Sequence, residues 1–177
     1  MKIIKNKFKD LLVFKSKNYK DKRGLLRELS LEKNIKKKLI FSLVSKSRKN
    51  VLRGLHMQTK QMQGKYLSVL KGKILDVVVD CRKMSKTFGK HFKIILSEKN
   101  ATSIYIPPGF AHGFLTLDKE NIVLYSCTNY RNKESEVSIA WNDKYLKIKW
   151  PTKKPILSKK DSNCKSFQEL NLKKWTI

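Results

Sequence analysis

Short apolar runs separated by turn-forming residues recur along most of the chain, and this spacing limits the fold more than any other feature. Ten such runs of four to nine residues are rich in β-branched and aromatic side chains, which favour strands. They cover residues 11–14, 39–44, 51–57, 65–70, 73–81, 88–96, 102–106, 111–117, 122–128 and 137–141. Many short strands at close spacing are typical of an antiparallel sandwich, a jelly roll or a barrel. The sequence therefore predicts an all-β fold with a few short helices, one starting near Ser30 and one in the last residues.

Glycine, proline and asparagine mark the breaks between the runs. Lys71-Gly72 predicts a tight hairpin between two strands, Pro107-Pro108-Gly109 breaks another pair, and Lys99-Asn100 is a plausible turn. No repeat, low-complexity linker or shift in composition divides the 177 residues. We therefore expect one domain over residues 1–177.

The run 73–81 separates two faces by strict alternation. One face would carry Leu75, Val77, Val79 and Cys81, and the other Ile74, Asp76, Val78 and Asp80. An apolar face mixed with carboxylates is typical of a small-molecule cavity inside a β-barrel. Either carboxylate taken alone fits a solvent-facing position equally well.

A formal net charge of +27, from 41 Lys and Arg against 14 Asp and Glu, at first suggests a polyanion-binding protein. A nucleic-acid binder, however, needs its cations along one track beside stacking aromatics, and here the lysines are scattered. Between residues 104 and 143, three bases stand against five acids. We expect mostly solvated surface charge and no nucleic-acid partner, while a smaller anionic partner stays open.

The cysteines indicate a reducing compartment. Cys81, Cys127 and Cys164 are odd in number, widely spaced and without a CxxC pair, so neither a disulfide framework nor a zinc site is expected. The first residues lack the apolar segment of a signal peptide, and no run approaches the roughly 18 apolar residues of a membrane helix. We expect a cytoplasmic protein with no membrane partner.

The three histidines do not show metal-binding spacing. His56, His91 and His112 lack the His-x-His or HExxH patterns and a nearby carboxylate, so no metal is expected. A lone histidine at a strand end is more often structural than catalytic. Whether His56 and His112 have a catalytic role is indicated by the residues around them.

Seven phrases follow one another in the order found in one family. They are RGLHMQ at 53–58, QGK at 63–65, DVVVDCRK at 76–83, TFGK at 87–90, IPPGFAHGF at 106–114, WND at 141–143 and LSKKD at 157–161. Over about residues 21–161 the sequence resembles the dTDP-4-dehydrorhamnose 3,5-epimerases. The resemblance implies a cupin-type jelly-roll β-barrel, a homodimer, and no metal or organic cofactor. It also implies an isomerase that inverts carbons 3 and 5 of a nucleotide-linked 4-keto-6-deoxy sugar.

Such an epimerisation passes through an enolate, because the ketone acidifies the neighbouring C–H bonds. It needs a base on one face, an acid on the other, and a positive group near the oxygen. The resemblance assigns His56 as the base, Asp161 as the carboxylate that orients it, Tyr125 as the acid and Lys65 as the cation. Without the resemblance, Tyr125 would be interpreted as a core aromatic and Lys65 as a surface lysine.

The resemblance also implies substrate-binding residues. Arg53 and Arg23 match diphosphate-binding arginines, and Arg23 is expected to reach in from the partner subunit. Further expected contacts are Glu28, Gln58, His112, Tyr130, Arg131, Glu136 and Lys160.

Two departures from the family pattern affect substrate recognition. Phe41-Ser42-Leu43 stands where the family has Gln-Asp-Asn, and Arg131 stands where it has a tyrosine that stacks on thymine. A lost polar contact relaxes specificity for the group it paired with, whereas an arginine still stacks on a base. The sequence thus leaves open another nucleotide, another 4-keto sugar such as a GDP-linked heptose, or epimerisation at carbon 3 alone. A non-catalytic barrel that binds a sugar nucleotide is the competing interpretation, although binding alone does not need the proton-transfer residues.

Overall fold

Antiparallel strands are the main regular structure of the computed structural model, which describes residues 1–29 and 32–170. In these residues the strands are β1 Lys2–Ile4, β2 Leu12–Lys15, β3 Tyr19–Asp21, β4 Gly24–Leu26, β5 Phe41–Arg48, β6 Leu52–Gln58, β7 Lys65–Lys71, β8 Lys73–Asp80, β9 His91–Ser97, β10 Thr102–Ile106, β11 Phe110–Thr116, β12 Glu120–Cys127 and β13 Glu136–Ser138. Two one-turn helices accompany them, α1 Glu32–Ile35 and α2 Lys159–Ser162. Each of the ten predicted runs overlaps a strand, so the all-β prediction is confirmed.

The strands form two large sheets and a separate hairpin. One sheet has the order β1-β2-β10-β7-β12-β5 and the other β13-β6-β11-β8-β9, while β3 pairs only with β4. Neighbours in both sheets run antiparallel. Their inner faces pack together, the arrangement of a jelly roll.

The main hydrophobic core lies between the two sheets. It includes Val13, Leu67, Val69, Ile104 and Val123 of the six-stranded sheet and Ile74, Val78, Leu96, Phe110 and Phe114 of the five-stranded sheet. A second cluster covers the outer face of the five-stranded sheet and includes Val77, Val79, Cys81, Ile139, Leu146 and Phe167. Because residues 139–170 cover this outer face, both faces of β8 are buried. The alternation predicted for 73–81 is thereby confirmed.

The predicted hairpin at Lys71-Gly72 is wrong. β7 and β8 belong to different sheets and do not pair, so the chain turns a corner between the sheets at Gly72. Gly72 has a φ of +81°, and a Cβ there would lie 2.8 Å from Asn121 Oδ1. A tight turn between two alternating runs predicts two strands, but it does not say which strand each one pairs with.

The helix predictions have mixed outcomes. α1 begins at Glu32, and Ser30 lies outside the described residues. Residues 171–177, among the last residues for which a helix was predicted, also lie outside them. The sequence did not predict α2, which carries a functional side chain. None of the described helices is long and apolar enough to cross a membrane.

Candidate active site

A cavity of about 480 Å³ opens between the two sheets. The six-stranded sheet supplies one wall through β5, β7 and β12, and the other wall comes from β6, β13 and α2. The lining residues are Phe41, Leu43, Arg53, His56, Met57, Gln58, Gln63, Lys65, Tyr125, Cys127, Arg131, Glu136, Ser158, Lys160 and Asp161. All four predicted catalytic residues are therefore brought to one cavity from four separate elements.

His56 and Asp161 form a hydrogen-bonded pair on one wall. Nε2 of His56 lies 2.6 Å from Oδ1 of Asp161, whose side chain is only 5% exposed. Ser158 caps α2 by accepting from the Asp161 N–H at 3.1 Å and donating to Oδ2 at 2.9 Å. Burial acts to raise the pKa of the Asp161 carboxyl, but hydrogen bonds from His56 and Ser158 outweigh it and hold that pKa below its usual range. The ionised Asp161 fixes the ring through Nε2 and leaves Nδ1 of His56 free to act as a base.

Tyr125 stands on the opposite wall. Its ring packs against His112 and Phe114, with ring centroids 6.5 and 6.1 Å away. Burial raises the pKa of the Tyr125 hydroxyl well above its usual value, although Ser45 and Arg53 act to lower it. The phenol is protonated at neutral pH and faces the cavity from the side opposite His56, as a proton donor must.

Lys65 lies on the same wall as Tyr125. β7 and β12 are adjacent, and Lys65 is paired in register with Cys127, two residues beyond Tyr125. The lysine is half-buried, and burial lowers the pKa of its ammonium, while Cys127, Glu136 and Asp76 act in the opposite direction. It is therefore a cavity lysine rather than a solvated surface lysine.

Three further cations border the cavity, and one carboxylate binds two of them. Arg53 donates to Ser47 Oγ at 3.2 and 3.1 Å. Glu136 accepts from Arg131 through Oε2 at 2.7 and 3.1 Å, and from Lys160 through Oε1 at 2.8 Å. Four basic and two acidic residues line the cavity, which therefore suits an anionic ligand.

Gln58 and Tyr130 lie beside this cation group. Gln58 lines the cavity, and its Oε1 accepts from the Asn132 N–H at 3.0 Å. Tyr130 is 65% exposed and packs on Phe41, with ring centroids 5.8 Å apart. Their predicted substrate contacts, like the roles assigned to the other site residues, stay predictions.

Four predicted binding residues do not line the cavity of this chain, and Tyr130, described above, is one of them. Arg23 lies at the tip of the β3–β4 hairpin, where its side chain is 85% exposed and pairs with Asp21 at 2.6 Å. Glu28 is exposed beyond β4. His112 is buried behind the cavity, where Nε2 lies 2.8 Å from Oδ2 of Asp76. Asp76 thus faces the interior of the protein and not the solvent, the two positions that the sequence left open for it.

Two functional features escaped the sequence analysis. Ser158 stands three residues before Asp161, and this N-cap spacing could have predicted α2. Gln63, which belongs to the QGK phrase, and Cys127 also line the cavity, although the sequence analysis assigned neither of them a role. Within residues 1–29 and 32–170, no three His, Cys, Asp or Glu side chains cluster as a metal site would require.

Comparisons with known proteins identify the family of this chain. A family model described as dTDP-4-dehydrorhamnose 3,5-epimerase matches residues 5–169. An enzyme of that name from Shigella flexneri is 41% identical over 174 residues, covering 94% of this chain and 96% of the relative.

Solved structures show the same fold. The dTDP-4-dehydrorhamnose 3,5-epimerase from Elizabethkingia anophelis NUHP1 superposes with a TM-score of 0.90 at 39% identity, over 97% of this chain and 98% of the other. The dTDP-6-deoxy-D-glucose-3,5-epimerase from Legionella pneumophila, in complex with dTDP-4-keto-L-rhamnose, gives 0.92 at 38% identity, over 97% and 95%. These matches confirm the cupin-type jelly roll. The chain belongs to the dTDP-4-dehydrorhamnose 3,5-epimerase family.

Proposed function

We propose that this protein is a cofactor-independent epimerase of a nucleotide-linked 4-keto-6-deoxy sugar. The observation that carries the proposal is the placement of the His56–Asp161 pair on one wall of a cationic cavity and Tyr125 on the other. A sugar ring held between these walls meets a base on one face and an acid on the opposite face. This is the arrangement that inversion at carbon requires.

In the proposed reaction, Nδ1 of His56 removes the proton on a carbon next to the ketone. The electron pair of that C–H bond moves into an enolate, and its oxygen accepts a hydrogen bond from the Lys65 ammonium. When the enolate collapses, the carbon takes the hydroxyl proton of Tyr125 from the other face, and its configuration is inverted. His56 then holds one extra proton and Tyr125 lacks one, so exchange with solvent restores both groups.

We propose dTDP-4-keto-6-deoxyglucose as the first substrate to test, with inversion at carbons 3 and 5. The family membership supports this choice, and so does the relative from Legionella that binds dTDP-4-keto-L-rhamnose. A second candidate is a different nucleotide, a different 4-keto sugar, or inversion at carbon 3 alone. Phe41, Leu43 and Arg131 all line the cavity, so the departures from the family pattern lie where a substrate would be recognised.

We further propose a homodimer in the cytoplasm. β5 is an edge strand of the six-stranded sheet, and it exposes Val44, which a partner would cover. The β3–β4 hairpin exposes Leu25 and Leu26 and carries Arg23 away from this chain's own cavity, which supports a contribution of Arg23 to the partner's cavity. The three free cysteines support a reducing compartment.

Solvent exchange tests the function directly. The protein is incubated in D₂O with dTDP-4-keto-6-deoxyglucose, and deuterium at carbons 3 and 5 is followed by NMR. The main proposal predicts exchange at both carbons, lost at both in His56→Ala. Exchange at carbon 3 alone, or only with a guanosine- or cytidine-linked sugar, would favour the second candidate. Binding without any exchange would identify a non-catalytic barrel and refute the proposed function.

A further inference from the structure

Glu136 joins three parts of the cavity rim. Its side chain is only 12% exposed, and both of its oxygens are engaged by neighbouring cations. Oε2 accepts from Nε and Nη2 of Arg131, in the segment after β12, and Oε1 accepts from Lys160 of α2. One carboxylate of β13 thus connects that segment to the helix on the other side of the cavity.

The helix end of this connection includes the residue next to Asp161. α2 has a single turn, so a displacement of Lys160 would also displace Asp161. Along β13, Glu136 lies two residues from Ser138, which is paired in register with His56. The Glu136–Lys160 pair therefore holds α2 against the strand that faces His56.

The resemblance assigned Glu136 as a substrate contact, but its bonding favours a different role. A carboxylate offers about four acceptor positions, and three of those on Glu136 are already filled by N–H donors, so only one is left for a hydroxyl from a ligand. Its charge also opposes the binding of a diphosphate beside it. The position of this partly buried carboxylate is better explained by the two side chains that it holds in place, Arg131 and Lys160.

We propose that Glu136 is a positioning residue, which orients Arg131 and Lys160 at the cavity rim and, through Lys160, holds Asp161 against His56. This inference rests on the proposed function. It also gives a role to Arg131, the residue that departs from the family pattern. Its guanidinium is oriented by Glu136 and remains half-exposed toward the cavity mouth.

Glu136 also acts on Lys65. Four neighbouring groups act on the pKa of the Lys65 ammonium: Cys127 of β12, Asp76 of β8, Glu136 of β13 and Lys160 of α2. The other charged or titratable residues that line the same cavity are Arg53, His56, Tyr125, Arg131 and Asp161. Glu136 raises the pKa of Lys65 and Lys160 lowers it. Removing the Glu136 charge would therefore lower the pKa of Lys65. If Lys65 acts protonated, the alkaline limb of kcat/KM would move to lower pH.

Glu136→Gln tests the proposal, with Glu134→Gln as the matched control. Glutamine keeps the size and removes the charge, and Glu134 is an exposed residue of the same segment. In Glu136→Gln we expect kcat to fall about tenfold, the size of one lost charge-assisted hydrogen bond. The affinity for dTDP, measured by calorimetry, should stay within about twofold of wild type or improve, because a negative charge beside the diphosphate is removed. The alkaline limb should move to lower pH, and Glu134→Gln should match wild type in all three measurements.

A spectroscopic measurement separates this proposal from the proposed function. The imidazole N–H proton of His56 that is bonded to Asp161 should give a downfield NMR signal, absent in Asp161→Asn and weakened in Glu136→Gln. Absence of exchange in the wild type would refute the proposed function, whereas an unaltered signal in Glu136→Gln would refute positioning. A raised Kd for dTDP with unchanged kcat would identify a direct substrate contact without a positioning role and overturn the proposal. If Glu136→Gln does not fold, Glu136→Asp replaces it, because the shorter side chain should reach only one cation and give an intermediate loss.

Discussion

Asp161→Asn removes the charge that orients the proposed base while keeping the shape of the side chain. The variant loses a charge-assisted hydrogen bond of 2.6 Å between His56 and a nearly buried carboxylate. Such a bond contributes about 1.5–3 kcal/mol, which corresponds to a rate loss of roughly 10- to 150-fold. In other His–Asp pairs the amide also stabilises the wrong imidazole tautomer, which raises the loss to about 10⁴-fold. We therefore expect a fall in kcat of about 10²- to 10⁴-fold.

Deuterium exchange at carbons 3 and 5 measures this loss, since the proposed reaction uses His56 as the base at both carbons. Ser158→Ala provides a graded comparison, because it removes one of the two side-chain bonds to Asp161 and the N-cap of α2. An N-cap contributes about 1 kcal/mol, so Ser158→Ala should lose about fivefold to tenfold. Control of His56 by Asp161 would be refuted if Asp161→Asn folds normally and still exchanges deuterium at a rate within tenfold of wild type. Normal folding here means a melting temperature within 3 °C of wild type, which is roughly 1 kcal/mol at most for a chain of this size.

Three other predictions concern pH and stability. Burial lowers the pKa of Lys65 from its usual 10.5, so kcat/KM should fall as pH rises through that lowered pKa. Lys65→Arg stays charged at every pH tested, so its kcat/KM should not show this fall, even if the variant is slower overall. Asp80 is fully buried and accepts from Arg82, Ser85 and Thr87, which hold its pKa below 3.8 against the effect of burial. Asp80→Asn should therefore lower the free energy of unfolding by about 3 kcal/mol at pH 7, as measured by urea denaturation. The difference in stability between variant and wild type should shrink as pH falls through the lowered pKa of Asp80, and a difference that grows in acid would contradict the assignment. Gly54 has a φ of +119°, and a Cβ there would lie 2.6 Å from the His112 carbonyl oxygen. Gly54→Ala should therefore lower the free energy of unfolding by about 2 kcal/mol or more, and an unchanged melting temperature would rule out this packing.

The strands were predictable from the sequence because burial on a sheet leaves a period of two residues. β8 shows this clearly, since the two sets of alternating residues in 73–81 lie in two different hydrophobic clusters. Strand pairing leaves no comparable signal. The corner at Gly72 resembles a hairpin in sequence, because a glycine with positive φ serves both kinds of turn. The edge strands β1, β3 and β4 were missed because short exposed strands carry no apolar pattern.

The site was predictable only through the resemblance. Asp161 lies 105 residues beyond His56, and no local pattern relates the two. Physical reasoning on single residues favoured a core aromatic for Tyr125 and a surface lysine for Lys65. Both residues occupy positions on strands that alternate normally, so only the opposing sheet shows that they face a shared cavity.

The net charge of +27 left a small anionic partner open without indicating where it would bind. Four basic and two acidic residues line the cavity, so its net charge is +2, with His56 counted as neutral. The diphosphate of a sugar nucleotide is a dianion, and the enolate adds a further negative charge during the reaction. The cavity of one chain therefore balances the bound substrate but falls one charge short of the enolate intermediate. Proton transfer to His56 supplies that charge at the moment it is needed, and an Arg23 from a partner subunit would add to it. An Arg23 from the proposed partner subunit would therefore strengthen substrate binding rather than complete this balance.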